Sequence, residues 1–284
     1  MTLRVVAFSA AVAAILTLTA LPAAARSVPH PPSPIRTTPA PTLVRLAATA
    51  PGGPACIPGG ALCLILTPPA DGGERVVNLV LRQSSPNTRD RAINLAQPLS
   101  DEVTAMLWDR LIILTPDPGE GNAPRIVFGV IVRTSVMYSG GGGASERLTL
   151  YRLLPSYDAT EVLNVPWSTN LMIRACFSEH DLVSRAGACH DEYEFDAQLR
   201  LVRPGAPAGA ALLPPMVYST KAHSFPRSAR RSGDSEKQAP LRRSDLVKVR
   251  DPLCSYARVI RYNPATDRYE FSYPAPDCSE FTEP

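Results

Sequence analysis

Six cysteines limit what this chain can fold into more than any other feature. Read in order, they fall into three pairs whose members lie close together in the sequence. Oxidising compartments outside the cytosol favour disulfides, and an even number of cysteines is typical of such a framework. Six cysteines allow fifteen pairings, and the spacing favours the one made of local bonds. The predicted disulfides are Cys56–Cys63, Cys176–Cys189 and Cys254–Cys278.

The first residues have the pattern of an export signal. Arg4 supplies a positive charge, Val5 to Leu21 is apolar, and Ala23-Ala24-Ala25 forms a cleavage site that predicts a mature chain beginning at Arg26. The alternative, an uncleaved membrane anchor, is less favoured because Pro22 breaks a helix beside small residues. We therefore expect an exported protein, periplasmic or extracellular, with no integral membrane segment after cleavage. Its Ala-, Pro-, Val- and Arg-rich composition is typical of bacterial proteins.

Composition shifts divide the rest of the chain into four parts. Residues 26–54 contain eight prolines and predict an extended, disordered tether. Residues 55–226 contain the runs typical of strands and are long enough to bury one core. Residues 227–249 predict a basic linker, and residues 250–284 a small β-hairpin unit closed by the last disulfide.

Alternation of side chains predicts a mainly β fold. From Cys189 to Val202, apolar residues such as Tyr193 and Phe195 alternate with polar ones, which places one strand face on a core and the other in water. Short runs separated by Gly, Pro, Asp and Asn predict an antiparallel β-sandwich. Only Ser100 to Trp108 predicts a helix. The other predicted strands are Val76–Leu81, Leu111–Leu114, Arg125–Val136, Arg147–Leu153, Leu171–Phe177, Met216–Thr220, Tyr256–Tyr262 and Arg268–Tyr273.

Two cysteine pairs predict where strands meet. Opposed residues of an antiparallel hairpin have a constant sum of residue numbers. Cys254 and Cys278 then flank a turn near Thr266, so the strands on either side form a hairpin. If Cys176 and Cys189 are directly opposed, Arg174 lies opposite Asp191 and forms a cross-strand ion pair.

Charge is unevenly distributed, and two clusters are candidate binding surfaces. Residues 227–250 contain eight basic and three acidic residues, so this basic strap could contact an anionic envelope surface or polymer. The competing interpretation is a solvated linker that docks on the protein itself. An acidic row on the exposed strand face could receive it, or could bind calcium or a basic partner. The candidate residues are Arg230, Arg231, Arg242 and Arg243 in the strap and Glu192, Glu194 and Asp196 in the row.

Other motifs are weak. Cys176, His180, Cys189 and His190 are zinc-ligand types, but their spacing matches no common zinc site and the compartment oxidises thiols. The run Gly140 to Gly143 predicts a flexible loop and not a phosphate-binding turn. Trp108, Trp167, Tyr138 and Tyr151 are candidates for a glycan platform, although core positions are the more common use of such residues. No metal or cofactor is predicted.

The sequence favours an exported, non-catalytic binding or scaffolding protein, because a charge division stands beside no convincing nucleophile motif. The alternative is a hydrolase that uses the acidic strand face or the region of His180 and His190.

Overall fold

The computed structural model describes residues 40–48, 50, 53–67, 77–83, 91–95, 103–114, 124–202, 213–231, 233 and 238–284. The predicted signal peptide and residues 26–39 of the predicted tether lie outside these residues. The prediction of disorder is wrong for the described end of the tether, because Thr42–Arg45 and Ala47–Ala48 are paired strands. The described elements run in the order β1 Thr42–Arg45, β2 Ala47–Ala48, β3 Ala55–Cys56, β4 Leu62–Thr67, β5 Val77–Gln83, β6 Arg91–Leu95, β7 Val103–Ile113, β8 Ile126–Tyr138, β9 Gly141–Leu153, β10 Ala159–Arg174, α1 Glu179–Ser184, β11 His190–Leu201, β12 Met216–Phe225, a 3-10 helix Arg243–Asp245, β13 Val249–Asp251, β14 Ala257–Asn263, β15 Arg268–Phe271 and α2 Ser279–Thr282.

Within the described residues, the strands form two antiparallel sheets. The large sheet has ten strands in the order β1, β7, β8, β9, β10, β11, β12, β14 and β15, with β13 also paired to β12. The small sheet runs in sequence order from β2 to β6. The prediction of a mainly β, sandwich-like fold is confirmed.

The small sheet packs against one region of the large sheet. Leu64 of β4 and Ile93 of β6 are fully buried in a cluster with Phe128 of β8 and Tyr151 of β9. The rings of Phe128 and Tyr151 stack with centroids 5.6 Å apart. Burial of such large apolar side chains contributes about 1.5–3 kcal/mol each, so this cluster joins the two sheets.

A second core is formed around β11, β12 and the end of the chain. Tyr193, Phe195 and Tyr218 are buried together, as the alternation in the sequence predicts. Phe281 of α2 packs on Tyr193 with ring centroids 5.9 Å apart. Since β14 and β15 extend the same sheet beyond β12, residues from the end of the chain help to close this core.

The predicted helix is wrong in its described part. Residues 103–108 belong to β7, which pairs with β8 along Val103–Leu107 and again from Leu111 after an irregularity in the register. Trp108 is buried, and its ring packs edge-to-face with that of Trp167, with ring centroids 6.1 Å apart. The apolar spacing fits a helix turn equally well, but pairing with the long strand β8 satisfies this backbone instead.

The three predicted disulfides are present. The Cα atoms are 4.0 Å apart in Cys56–Cys63, 4.8 Å in Cys176–Cys189 and 5.7 Å in Cys254–Cys278. The last bond lies beyond the β14–β15 hairpin, which confirms the hairpin predicted there. All six sulfur atoms are bonded to each other in these pairs.

The predicted register of β10 and β11 is wrong by one residue. Arg174 lies opposite His190, and Asp191 lies opposite Ile173. The two cysteines sit outside this ladder: the backbone N–H of Ala175 donates to the carbonyl of Cys189 at 2.9 Å. The predicted Arg174–Asp191 pair is therefore not formed, because a shift of one residue turns a strand side chain to the other face.

Asp191 instead pairs with Arg185, inside the loop closed by Cys176–Cys189. Both side chains are buried, with exposures of 4% for Arg185 and 5% for Asp191, and an Arg185 N–H donates to the Asp191 carboxylate. The Arg185 Nε also donates to the carbonyl of Ala188 at 2.9 Å. Burial raises the pKa of Asp191, and the Arg185 guanidinium opposes that rise.

Candidate functional site

An open groove of about 720 Å³ crosses the exposed face of the large sheet at the ends of β8 to β11. Each strand contributes side chains that the alternating pleat turns to this face. The lining combines apolar, basic and acidic residues. They include Arg133, Met137, Tyr138, Asn170, Met172, Arg174, His190, Glu192 and Glu194, with Gly141 to Ala144 of β9.

Glycines bring the strands of this groove close together. A two-residue turn at Ser139-Gly140 joins β8 to β9, and Tyr138 pairs with Gly141. A Cβ atom at Gly141 would lie 2.1 Å from the carbonyl oxygen of Met172, and one at Gly143 would lie 2.5 Å from that of Asn170. No larger residue fits there without moving the backbone. The prediction of a flexible loop at 140–143 is therefore wrong: this run forms a tight turn and the first residues of β9.

Two methionines face each other across the groove. In the register of the sheet, Met137 of β8 and Met172 of β10 both lie opposite Gly142 of β9. Their exposures are 90% and 46%. Because Gly142 has no side chain, the floor between the two methionines is backbone.

The acidic row lies on the predicted face of β11. Glu192 and Glu194 line the groove, whereas Asp196 lies farther along the strand and is exposed. The Lys248 ammonium is 2.5 Å from Glu194 Oε1. The Ser168 hydroxyl donates to Asp196 at 3.5 Å.

Part of the basic strap docks on the protein itself. Residues 249–251 form β13, in which Arg250 pairs with His223 of β12. Together with the Lys248–Glu194 contact, this pairing supports the self-docking interpretation for the end of the strap.

The four candidate arginines of the strap do not converge on the acidic row. Arg231 donates to the carbonyl oxygens of Ser279, Glu280 and Glu283 and so binds the C-terminal end of α2. Arg230 is exposed and donates to the carbonyl of Ala229 at 2.6 Å. Arg242 and Arg243 are exposed at the 3-10 helix.

The residues of the hydrolase alternative are only partly brought together. His190 joins Glu192 and Glu194 in the groove, but His180 lies on α1 with its side chain 89% exposed and is not in the lining. The bonded sulfurs of Cys176 and Cys189 offer no thiolate to a metal. Among the described residues, no group of three or more His, Cys, Asp or Glu is arranged to hold a metal ion.

Sequence reasoning missed the methionines and the arginines of the groove. Of the four aromatic candidates, Trp108 and Tyr151 are buried in the cores, Trp167 is half-buried, and only Tyr138 lines the groove. A signal for the methionines was present, since Met137 and Met172 interrupt polar positions of strands. Their meeting depends on the sheet register, which the sequence did not predict.

Arg174 borders the groove on the side of the Cys176–Cys189 loop. Its Nε donates to the carbonyl of Cys176 at 2.8 Å, and its guanidinium lies 5.2 Å from the ring centre of Phe177. The backbone N–H of Arg174 donates to the carbonyl of Gly140 at 2.6 Å. The disulfide loop and the β8–β9 turn are thus tied together at one end of the groove.

No protein-family model, no curated protein and no solved structure matches this chain. In the described part of the chain, no helix is both long enough and apolar enough to cross a membrane.

Proposed function

We propose that this is an exported, non-catalytic binding protein that holds a protein partner in the groove across β8 to β11. The observation that carries the proposal is the exposure of Met137 and Met172 on one face of the sheet, beside the loop that the Cys176–Cys189 disulfide closes. Exposed large apolar side chains cost free energy in water unless a partner covers them.

The composition of the groove supports a protein as the ligand. Methionine, tyrosine and arginine are enriched at the centres of protein interfaces, and charged residues are typical of the rim. Here Met137 and Met172 border the floor, while Arg133 and Glu192 stand at its sides. Methionine side chains also adapt to the shape of a partner.

The three disulfides support export, because such bonds persist in the periplasm and outside the cell. They also favour a scaffolding role, since each one fixes a turn or strand end of the sheet in the folded state. The signal peptide predicted at residues 1–25 belongs to the same proposal.

A hydrolase is the second candidate, on one observation: His190, Glu192 and Glu194 line the same groove. Strand residues two apart are about 6.6 Å apart along the chain, which suits a pair of carboxylates. Against it, Glu194 contacts the Lys248 ammonium and the groove is open to water. Loss of a measured hydrolytic activity in Glu192→Gln, with binding retained, would favour this candidate.

Site-specific photocrosslinking in cells that export the protein tests the binding proposal. A benzoylphenylalanine at Met137 is expected to form an adduct of one discrete mass, and one at the exposed Glu270 of β15 is expected to form none. Met172→Glu should abolish the adduct at position 137. Leu253→Glu, a matched change of another exposed apolar residue, should leave it intact.

Two outcomes would overturn the proposal. One is the absence of any adduct at position 137. The other is an adduct that persists in Met172→Glu, since such an adduct would not depend on the groove.

A further inference from the structure

A second groove lies on the same face of the large sheet, between β11, β12, β14 and the strand β13. Its volume is about 330 Å³. Three cations and a single carboxylate line it: Arg200, Lys221 and Arg250 against Asp196. Unlike the groove with the methionines, where two arginines stand against two glutamates, this one carries an excess of positive charge.

Two of these cations lack an ion-pair partner in the described part of the chain. Arg200 and Lys221 are exposed, and neither forms an ion pair with another described residue. Arg250 is exposed and makes one contact with a neutral group, donating to the carbonyl of Ser255 at 3.5 Å. An excess of positive charge on one surface attracts anionic ligands.

The cations form a row and not a cage. Arg200 lies opposite Val217 of β12, Lys221 opposite Asp196, and Arg250 opposite His223. Along β12, Val217 and His223 are six steps apart, which is about 20 Å at the strand rise. A single small anion cannot contact all three side chains at that spacing, whereas an extended chain with repeated acidic groups can.

The floor of the groove adds groups suited to a sugar. The exposed amide of Gln198 and the half-buried Ser219 line it. An amide and a hydroxyl both donate and accept hydrogen bonds, as sugar hydroxyls require, whereas the Tyr256 ring packs on Tyr218 in the core. Sequence-tolerant binding of single-stranded nucleic acid uses successive aromatic rings, and Tyr256 is the only aromatic residue in this lining.

We propose that this groove binds an anionic polysaccharide, with Arg200, Lys221 and Arg250 contacting successive acidic groups of one chain. This moves the predicted polymer contact from Arg230, Arg231, Arg242 and Arg243 to Arg250 at the end of the strap and to the sheet residues Arg200 and Lys221. Arg231 already binds carbonyl oxygens of α2. The site is separate from the methionine groove, so it does not depend on the proposed protein partner.

Calorimetric titration of the disulfide-bonded protein at low salt tests the site. The probes are an oligogalacturonate with carboxylates, a heparin-derived hexasaccharide with sulfates, neutral maltohexaose, and a dodecamer of thymidylate. At least one anionic saccharide is expected to bind, with an affinity that falls as salt rises, and maltohexaose is not. Tighter binding of the oligogalacturonate would identify carboxylates as the preferred group, because the heparin fragment carries sulfates as well as carboxylates and has the higher charge.

Variants locate the binding. Arg200→Gln with Lys221→Gln should weaken binding about tenfold or more, the equivalent of about 1.4 kcal/mol. Arg250→Gln alone should weaken it by a smaller factor, and gives a second reading if the double variant does not fold. Arg242→Gln with Arg243→Gln, a matched loss of two exposed charges in the strap, should change it less than twofold.

Three results would overturn the proposal. The first is no binding of either anionic saccharide. The second is a loss in the strap variant as large as that in the groove variant. The third is equal or tighter binding of the thymidylate dodecamer, which would indicate a nucleic-acid surface.

Discussion

Removal of the Arg185 guanidinium should leave a buried, unpaired carboxylate at Asp191. The side chains are 5% and 7% exposed, so neither charge is well hydrated once its partner is lost. Breaking a buried ion pair from one side costs about 3–5 kcal/mol. Since a domain of this kind has about 5–15 kcal/mol of stability in total, Arg185→Gln should lower the free energy of unfolding by a large fraction.

The pH dependence separates the charge effect from lost packing. Burial already raises the folded-state pKa of Asp191 above its unfolded value of 3.8. A raised carboxyl pKa means that stability from this group is greatest below 3.8 and declines as the pH rises towards the folded-state pKa. In Arg185→Gln the opposing guanidinium is gone, so that pKa rises further and the decline is larger.

Urea unfolding at pH 7 and pH 4, without reductant, measures both effects. The difference between Arg185→Gln and the native protein should be about 3–5 kcal/mol at pH 7 and smaller at pH 4, because the raised pKa of Asp191 favours its neutral form as the pH falls. The lost hydrogen bond to Ala188 is independent of pH and accounts for about 1 kcal/mol. Lys248→Ala, which removes an exposed pair with Glu194, is the control and should cost less than about 1 kcal/mol.

An equal loss of stability at the two pH values would show that the Asp191 carboxylate bears no desolvation cost. A loss below 1 kcal/mol at pH 7 would show that the pair contributes little to stability.

Three further predictions concern stability, each measured by denaturant unfolding. Tyr218→Phe should lower the free energy of unfolding by about 1 kcal/mol, because the Tyr218 hydroxyl donates to the carbonyl of Pro166 at 2.5 Å. Tyr193→Phe should be neutral or stabilising, since the buried Tyr193 hydroxyl has no hydrogen-bond partner among the described residues. Equal costs for the two variants would contradict this explanation. Gly143→Ala should lower the free energy of unfolding by about 1–3 kcal/mol, because its Cβ would clash with the carbonyl oxygen of Asn170. Gly140→Ala should be near neutral, because its Cβ would meet only the Tyr138 ring, at 3.6 Å. A tolerated Gly143→Ala would show that β9 can move. A disulfide that closes a longer loop removes more conformational entropy from the unfolded chain. Replacing Cys254 and Cys278 by serine should therefore lower the free energy of unfolding by about 3.5 kcal/mol, and replacing Cys56 and Cys63 by about 2.5 kcal/mol, since the sequence separations are 24 and 7. The reverse order would contradict this explanation.

The elements that the sequence predicted well are those whose signal is local. The alternation along β11 places Tyr193 and Phe195 in the core, and the turn residues after Tyr262 place the β14–β15 hairpin. Local cysteine spacing was also enough to predict the three disulfides. Each of these depends on residues close together in the chain.

Features that depend on register could not be predicted in the same way. The prediction that Cys176 and Cys189 lie directly opposite each other gives a β10–β11 register that is wrong by one residue. A disulfide can also join cysteines that lie beyond the paired part of two strands, so it does not fix their register. That shift concealed both the Arg185–Asp191 pair and the exposure of Met172. The strand at residues 103–108 was taken for a helix, because its apolar spacing fits both periods and only pairing with β8 decides between them.

The candidate sites were predicted in part. The acidic row was placed on the correct face of β11, but its neighbours in the two grooves come from strands 20 to 60 residues away in the chain. Met137 and Lys221 become recognisable as site residues only when the order of the strands is known.

Mass spectrometry of the mature protein without reduction, on material taken from its own compartment, maps the disulfides on which the fold depends. We expect a chain that begins at Arg26 and contains Cys56–Cys63, Cys176–Cys189 and Cys254–Cys278 in full. Free thiols at these positions, or cross-links between the three pairs, would contradict this expectation.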